Sequence, residues 1–81
     1  MKIEFQTSQG ERRIIGEATN RQDAWMIIKG FLDDHNYKSY YQRITPHPDE
    51  RYVWMDVGSW FESFYLTDVT DEEMEEWRIP T

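Results

Sequence analysis

The residues best suited to chemistry in this sequence are two histidines, one of which lies close to two carboxylates. His47, Asp49 and Glu50 fall within one short segment, and such side chains serve as metal ligands and as acid–base groups. Support for a metal site is weak, because no second cluster supplies the remaining ligands and the chain has no cysteine. An exposed loop histidine explains His47 better. His35 is expected at the half-buried edge of a helix, near its C-terminus.

Patterns for nucleophilic catalysis and phosphate binding are missing from the sequence. Ser39, Ser59 and Ser63 lack the strand–turn–helix context of a catalytic serine. There is no glycine-rich phosphate loop and no H-E-x-x-H motif. We therefore predict a protein that is not an enzyme and uses no metal and no cofactor. A small metal-dependent enzyme built around His47 is the competing hypothesis.

The length and charge of the chain limit which functions remain. The 81 residues, of which 16% are aromatic, can form one compact core. Because the sequence has no long apolar run and no signal-type leader, we expect no membrane span and a cytoplasmic location. The net charge is −7, and residues 62–81 carry seven acids against one base. Such an acidic segment disfavours nucleic acid and anionic membrane as ligands and favours a basic partner surface.

Alternating apolar residues predict an N-terminal β-hairpin over residues 1–18. The first strand alternates strictly, and Gly10 suits a positive φ in the turn that follows it. The register of the returning strand stays open, because Gly16 and the adjacent pair Ile14 and Ile15 interrupt the alternation.

An amphipathic helix is predicted over residues 20–36, where apolar residues recur at helical spacing. Thr19 or Asn20 can cap its N-terminus, and Asn36 suits the left-handed position that ends a helix. Gly30 lies inside the helix, where it costs about 1 kcal/mol. One expected reason for a glycine here is close approach to a strand.

Three further strands are predicted within residues 39–66, with a proline-containing loop over residues 45–50. The order of elements, β-β-α-β-β-β, predicts a single α+β domain over residues 1–81. It has one antiparallel β-sheet with the long helix on one face. The strand order stays open, because five short strands allow several antiparallel arrangements.

A short acidic helix is predicted at the C-terminal end, over residues 68–79. Thr70 and Glu73 form a T-x-x-E capping box, and carboxylates in the first turn complement the helix dipole. An ordinary solvated helix face accounts for the first-turn acids. The alternative is a surface that attracts a basic partner by imitating the charge of nucleic acid. The candidate acidic contacts are Asp68, Asp71, Glu72, Glu75 and Glu76.

A second candidate surface is the sheet face turned away from the long helix. If Val53, Met55 and Val57 face that helix, the aromatic residues between them face outward. Either the C-terminal helix folds over these rings, or the rings form an open platform. An open platform suits protein contacts better than single-stranded nucleic acid, since the body of the chain is nearly neutral. The candidate anchors are Tyr41, Tyr52, Trp54, Trp60, Phe61 and Tyr65.

Three short stretches of the sequence resemble a known class of proteins. They read FLDDHNYKSYY over residues 31–41, MDVGS over residues 55–59 and FYL over residues 64–66. In this order they resemble small uncharacterised acidic proteins encoded by phages and prophages of Gram-positive bacteria, over residues 22–66. The resemblance implies a phage origin and an anti-defence role, in which a small protein binds and blocks a host nuclease of the restriction or CRISPR type. No catalytic residues carry over.

Taken together, these features predict a small protein-binding inhibitor in the host cytoplasm. It would block a nucleic-acid-handling protein with a basic surface, for example a CRISPR or restriction nuclease, by steric occlusion. We expect a monomer or weak homodimer with no membrane contact and no direct nucleic-acid binding. The alternatives are a single-strand nucleic-acid binding module that uses the aromatic face, and a structural or assembly protein of a virion.

Overall fold

A computed structural model describes residues 1–7, 9–36, 43–58 and 62–78. Within them the chain forms a five-stranded antiparallel sheet and two α-helices. The elements are β1 Lys2–Gln6, β2 Arg12–Glu17, α1 Arg21–Asp34, β3 Arg43–His47, β4 Tyr52–Asp56, β5 Ser63–Thr67 and α2 Asp71–Arg78, with a 3-10 turn at Pro48–Glu50. The strand order is β2-β1-β5-β4-β3. The predicted α+β class and order of elements are confirmed.

The N-terminal hairpin is closed by a turn in which Gly10 has a φ of 85°, as predicted. The register that the sequence left open contains a bulge: Ile3 pairs with Gly16, but Glu4 pairs with Ile14. Ile15 is therefore the extra residue on β2, which explains why the alternation breaks there.

Close packing of α1 against the sheet depends on Gly16. A Cβ atom at this position would lie 3.0 Å from Cγ2 of Ile27, tighter than an ordinary contact. Gly30 is exposed, and a Cβ atom there would meet nothing within 4 Å. The expectation that Gly30 allows close approach to a strand is therefore wrong, and the glycine that does so lies on the strand.

The ends of α1 match the predicted caps. Asn20 has extended backbone geometry, and its side chain accepts a hydrogen bond from the backbone N–H of Asp23 at 2.8 Å. Asn36, just beyond the helix, has a φ of 56° in the left-handed region. These interactions explain why the helix begins at Arg21 and ends at Asp34.

The predicted loop over residues 45–50 is wrong in its first half. Residues 45–47 continue β3, and Pro46 pairs with Val53 of β4. Proline is tolerated there because β3 is at the edge of the sheet, so its missing N–H is not needed by a second neighbouring strand.

Both helices pack on the same face of the sheet. Met74 and Trp77 of α2 are buried in one cluster with Ile28 of α1 and Met55 of β4. A helix is about 10 Å wide, whereas five strands span roughly 20 Å, so α1 leaves part of the inner face for α2 to cover. The alternative in which the C-terminal helix folds over the aromatic face is therefore wrong.

The core lies between the helices and this inner face. Phe64 of β5 is fully buried, with its ring centroid 5.3 Å from that of Phe5 and 5.9 Å from that of Phe31. Val53, Met55 and Val57 are also buried, as predicted. Within the described residues, no helix combines the length and apolar character that a membrane crossing would require.

Candidate functional site

The residues considered for catalysis do not converge. His47 is half-buried on β3, where its ring stacks on Tyr52 with centroids 4.4 Å apart, while Asp49 and Glu50 are exposed in the 3-10 turn. No group of three potential metal ligands occurs in the described parts of the chain. His47 is therefore a strand residue, and the expectation of a loop histidine is wrong.

His35 also differs from its expected place. It is exposed rather than half-buried and follows α1 as the C-cap residue. Its Nδ1 lies 3.0 Å from the carbonyl oxygen of Phe31, and the two rings stack with centroids 4.1 Å apart. These contacts give His35 a role in ending the helix.

The sheet face opposite the helices is not covered by any described element. None of the side chains that alternate onto this open face is buried. Its centre is aromatic, because Trp54 of β4 pairs directly with Tyr65 of β5 and Tyr52 lies two residues before Trp54. The rings of Tyr52 and Tyr65 are 6.0 Å apart between centroids. The structure thus brings three of the predicted aromatic anchors together.

A charged side chain packs on one of these rings. The guanidinium of Arg12 lies over the ring of Tyr65, 3.9 Å from its centroid, and Nη2 donates to Oε2 of Glu4 at 3.4 Å. The hydroxyl of Thr67 donates to the same oxygen at 2.8 Å. Glu4 thereby helps to hold Arg12 over Tyr65, and the open face combines aromatic, cationic and anionic groups.

A shallow depression of about 580 Å³ lies at one end of this open face. Its lining includes Arg12, Arg51, Tyr52, Tyr65 and Asp68. The other three predicted anchors, Tyr41, Trp60 and Phe61, lie outside the described residues. Arginine and aromatic side chains are the usual anchors of protein interfaces, so the described part of the face has suitable composition for docking.

The predicted acidic contacts lie on or just before α2. Asp68 precedes the helix with a φ of 54°. Three of these carboxylates form exposed ion pairs: Asp68 with Lys2 at 3.2 Å, Asp71 with Arg51 at 3.8 Å, and Glu75 with Arg78 at 2.9 Å. Exposed pairs of this kind contribute about 0–1 kcal/mol each. A cationic partner can therefore replace the internal partners at small cost.

Glu72 and Glu76 differ from each other in accessibility. Glu72 is exposed, whereas Glu76 is half-buried between the helices. Oε1 of Glu76 accepts a hydrogen bond from the backbone N–H of Arg21 at 3.0 Å, and Nη1 of Arg21 donates to the carbonyl oxygen of Glu76 at 3.0 Å. Glu76 therefore attaches α2 to the start of α1 in addition to adding charge.

Charge is divided between the two layers of the domain. The two helices carry eight acidic and three basic side chains, whereas the five strands carry three acidic and four basic ones. The acidic surface therefore belongs to the helical layer. The open aromatic face belongs to the other layer. Of the predicted acidic contacts, Asp68 lines the depression on that face together with Tyr52 and Tyr65, whereas the other four lie on α2.

The capping box of α2 is confirmed. The backbone N–H of Thr70 donates to Oε1 of Glu73 at 2.9 Å, and the N–H of Glu73 donates to Oγ1 of Thr70 at 3.2 Å. The amino group of Met1 lies 3.4 Å from Oε2 of Glu73. Burial alone would raise the pKa of Glu73, but the two Thr70 interactions and the positive amino group together hold it below its ordinary value.

We expect Glu73→Gln to destabilise the protein at pH 7 by about 0.3–1 kcal/mol, the usual value of a carboxylate near a helix N-terminus, because glutamine can keep the capping hydrogen bond but not the charge. A carboxylate with a lowered folded-state pKa adds stability above its unfolded pKa and loses it as the pH falls through the folded pKa. The difference from the parent should therefore shrink below about pH 4.5. Urea unfolding of the parent and the variant at pH 7 and pH 3 measures this difference in stability, with Glu72→Gln as the control. A difference that stays constant with pH would contradict this role of the charge.

A second pocket, missed from the sequence, lies between the helices. Trp25 of α1, Ile44 of β3, Met55 of β4 and Trp77 of α2 give it an apolar lining, and its volume is about 360 Å³. Arg21, Gln22 and Glu76 supply the polar lining. We call this the interhelix pocket. Trp25 and Trp77 lie in the two segments predicted to be helical, but only the packing of the two helices shows that they share a cavity.

Comparisons of the chain with protein-family models, with curated proteins and with solved structures find no match.

Proposed function

We propose that this protein is a protein-binding inhibitor. Its acidic helical layer occupies a basic surface of a nucleic-acid-handling protein and blocks access of DNA or RNA to that surface. A host nuclease of the restriction or CRISPR type is the partner class that the resemblance to phage proteins suggests. The mechanism is steric and needs no reaction.

The observation that supports this proposal is the separation of charge between the layers. Eight acidic against three basic side chains lie on the helices, and Asp71, Glu72 and Glu75 are exposed there. A one-sided negative potential orients the molecule as it approaches a cationic surface and raises the association rate. The exposed carboxylates then pair with lysine or arginine side chains that otherwise hold phosphate groups.

The proposal is tested by capturing binding partners from a lysate and then measuring whether the protein competes with nucleic acid for them. The immobilised protein is exposed to nuclease-treated bacterial lysate, in parallel with a Glu72→Lys/Glu75→Lys variant. The proposal expects proteins with basic nucleic-acid sites among those that bind the parent and not the variant. Each captured protein is then purified, and its binding to a labelled oligonucleotide is measured with and without the inhibitor. Oligonucleotide binding that is unaffected by a saturating amount of the inhibitor would contradict blockade.

The open aromatic face supports a second candidate function, binding of single-stranded nucleic acid. The specific observation in its favour is that α2 packs on the other face, so its carboxylates do not cover Tyr52, Trp54 and Tyr65. Bases stack on aromatic rings presented by an open sheet, and Arg12 and Arg43 on the same layer add positive charge.

Under this second function, a fluorescein-labelled dT12 or rU12 oligonucleotide at low salt should bind with a Kd in the micromolar range. Trp54→Ala should weaken binding at least about fivefold, since stacking contributes about 1–3 kcal/mol per base. Trp25→Ala, on the helical layer, is the matched control and should bind as the parent does. Absence of anisotropy change at high micromolar protein would eliminate this function.

A further inference from the structure

The interhelix pocket is an apolar depression on the acidic layer. Two indole rings, Trp25 and Trp77, line it together with Ile44 and Met55. At about 360 Å³ it has room for one large side chain. Pockets of this kind at the centre of an interface hold the anchor residues that contribute most of the binding energy.

The surroundings of the pocket identify the chemistry of its occupant. Arg21 is already engaged, since its guanidinium donates to the carbonyl oxygen of Glu76 and lies 5.1 Å from the centroid of the Trp77 ring. Glu76 lines the pocket, and Glu72 lies one helical turn before it on the same side of α2. An apolar pocket next to a row of carboxylates fits an apolar side chain that has basic residues on either side.

We propose that the interhelix pocket binds a large apolar side chain from a basic segment of the partner protein, while the neighbouring lysines or arginines pair with Glu72 and Glu76. This inference rests on the proposed function, because it specifies how the acidic layer engages its basic partner. It adds an anchor that fixes the position of the partner, whereas surface charge alone would leave the position loosely defined.

The test uses two acetylated, amidated pentapeptides of equal charge, KKLKK and KKAKK, with EELEE as a charge control. The protein is labelled with ¹⁵N, and its tryptophan side-chain N–H signals are assigned with single Trp→Phe variants. KKLKK should shift the Trp25 signal saturably and leave the Trp54 signal, on the opposite layer, in place. KKAKK should bind at least about fivefold more weakly, because it buries less apolar area.

Two substitutions test whether the preference for KKLKK over KKAKK arises in the interhelix pocket. Trp25→Ala removes one wall of the pocket, and Gln22→Trp narrows it from an exposed position without removing a core contact. Both should abolish the preference for KKLKK over KKAKK. Met26→Ala is the matched control, because Met26 is exposed and does not line the pocket.

The outcomes separate this inference from the proposed function. Equal affinity for KKLKK and KKAKK with no shift at Trp25 would overturn the anchor while leaving the acidic surface able to bind a basic partner. A KKLKK preference that survives in Gln22→Trp would also overturn it. Failure of both peptides to bind would overturn the anchor, and the capture and competition experiment would then decide the proposed function independently.

Discussion

Trp77→Ala is expected to lower the free energy of unfolding by about 3–5 kcal/mol, the usual cost of removing a buried aromatic side chain. Trp77 is only 3% exposed and belongs to the cluster that joins α2 to the sheet. Its loss leaves a cavity and removes the ring beneath the Arg21 guanidinium. Urea unfolding followed by far-UV circular dichroism measures the change.

Trp77→Phe separates the packing of the ring from the role of its N–H group. Nε1 of Trp77 is buried and has no hydrogen-bond partner in the described part of the chain. An unpaired buried donor costs about 1–3 kcal/mol, so phenylalanine removes a penalty along with some apolar area. We expect a loss below about 1.5 kcal/mol. A loss as large as that of alanine would contradict this account of Nε1.

Trp54→Ala is the matched control for Trp77→Ala, because it removes the same side chain from the open face instead of the core. Trp54 is half-buried on the open face, and its removal opens no cavity in the core. It should therefore cost clearly less than Trp77→Ala. Equal losses would mean that the open face is covered, which would also undermine the nucleic-acid-binding function proposed for that face.

Charge reversal on α2 is expected to slow association with the captured basic partner at least about tenfold, within the range of electrostatic steering. The variant Glu72→Lys/Glu75→Lys replaces two exposed carboxylates with cations on one side of the helix. The association rate is measured by stopped-flow or surface plasmon resonance. Because exposed charges are screened by salt, the difference should narrow between about 50 mM and 500 mM salt.

Glu11→Lys/Glu17→Lys is the control for net charge. It makes the same change in total charge at two exposed positions outside the helices. If the location of charge matters, this variant associates nearly as fast as the parent. Equal slowing by both double variants would show that only total charge matters, and no slowing by either would remove the acidic layer from the mechanism.

Local signals in the sequence predicted the features that depend on neighbouring residues. The Asn20 cap of α1, the Thr70–Glu73 capping box of α2 and the positive φ of Gly10 all involve groups within four positions of each other. Such interactions are encoded by short-range spacing, and the surrounding fold changes them little. For the same reason, the outward direction of Glu72 and Glu75 followed from helical periodicity.

Features that depend on distant residues were mispredicted or left open. Pro46 was expected in a loop because proline weakens a sheet, yet β3 tolerates it at an edge. Gly30 was expected at a close contact, but Gly16 makes that contact with Ile27 across the layers. Neither outcome follows from spacing along the chain, because each depends on which element becomes the neighbour.

The order of apolar and polar residues was enough to define the elements, the caps and an excess of acid at the C-terminal end. It did not define which face of the sheet α2 would cover, because Met74 and Trp77 are equally apolar against either face. Packing decided this, since α1 is too narrow to cover the inner face of five strands. That single choice left Tyr52, Trp54 and Tyr65 uncovered by either helix, placed the carboxylates of α2 on the opposite layer and created the interhelix pocket.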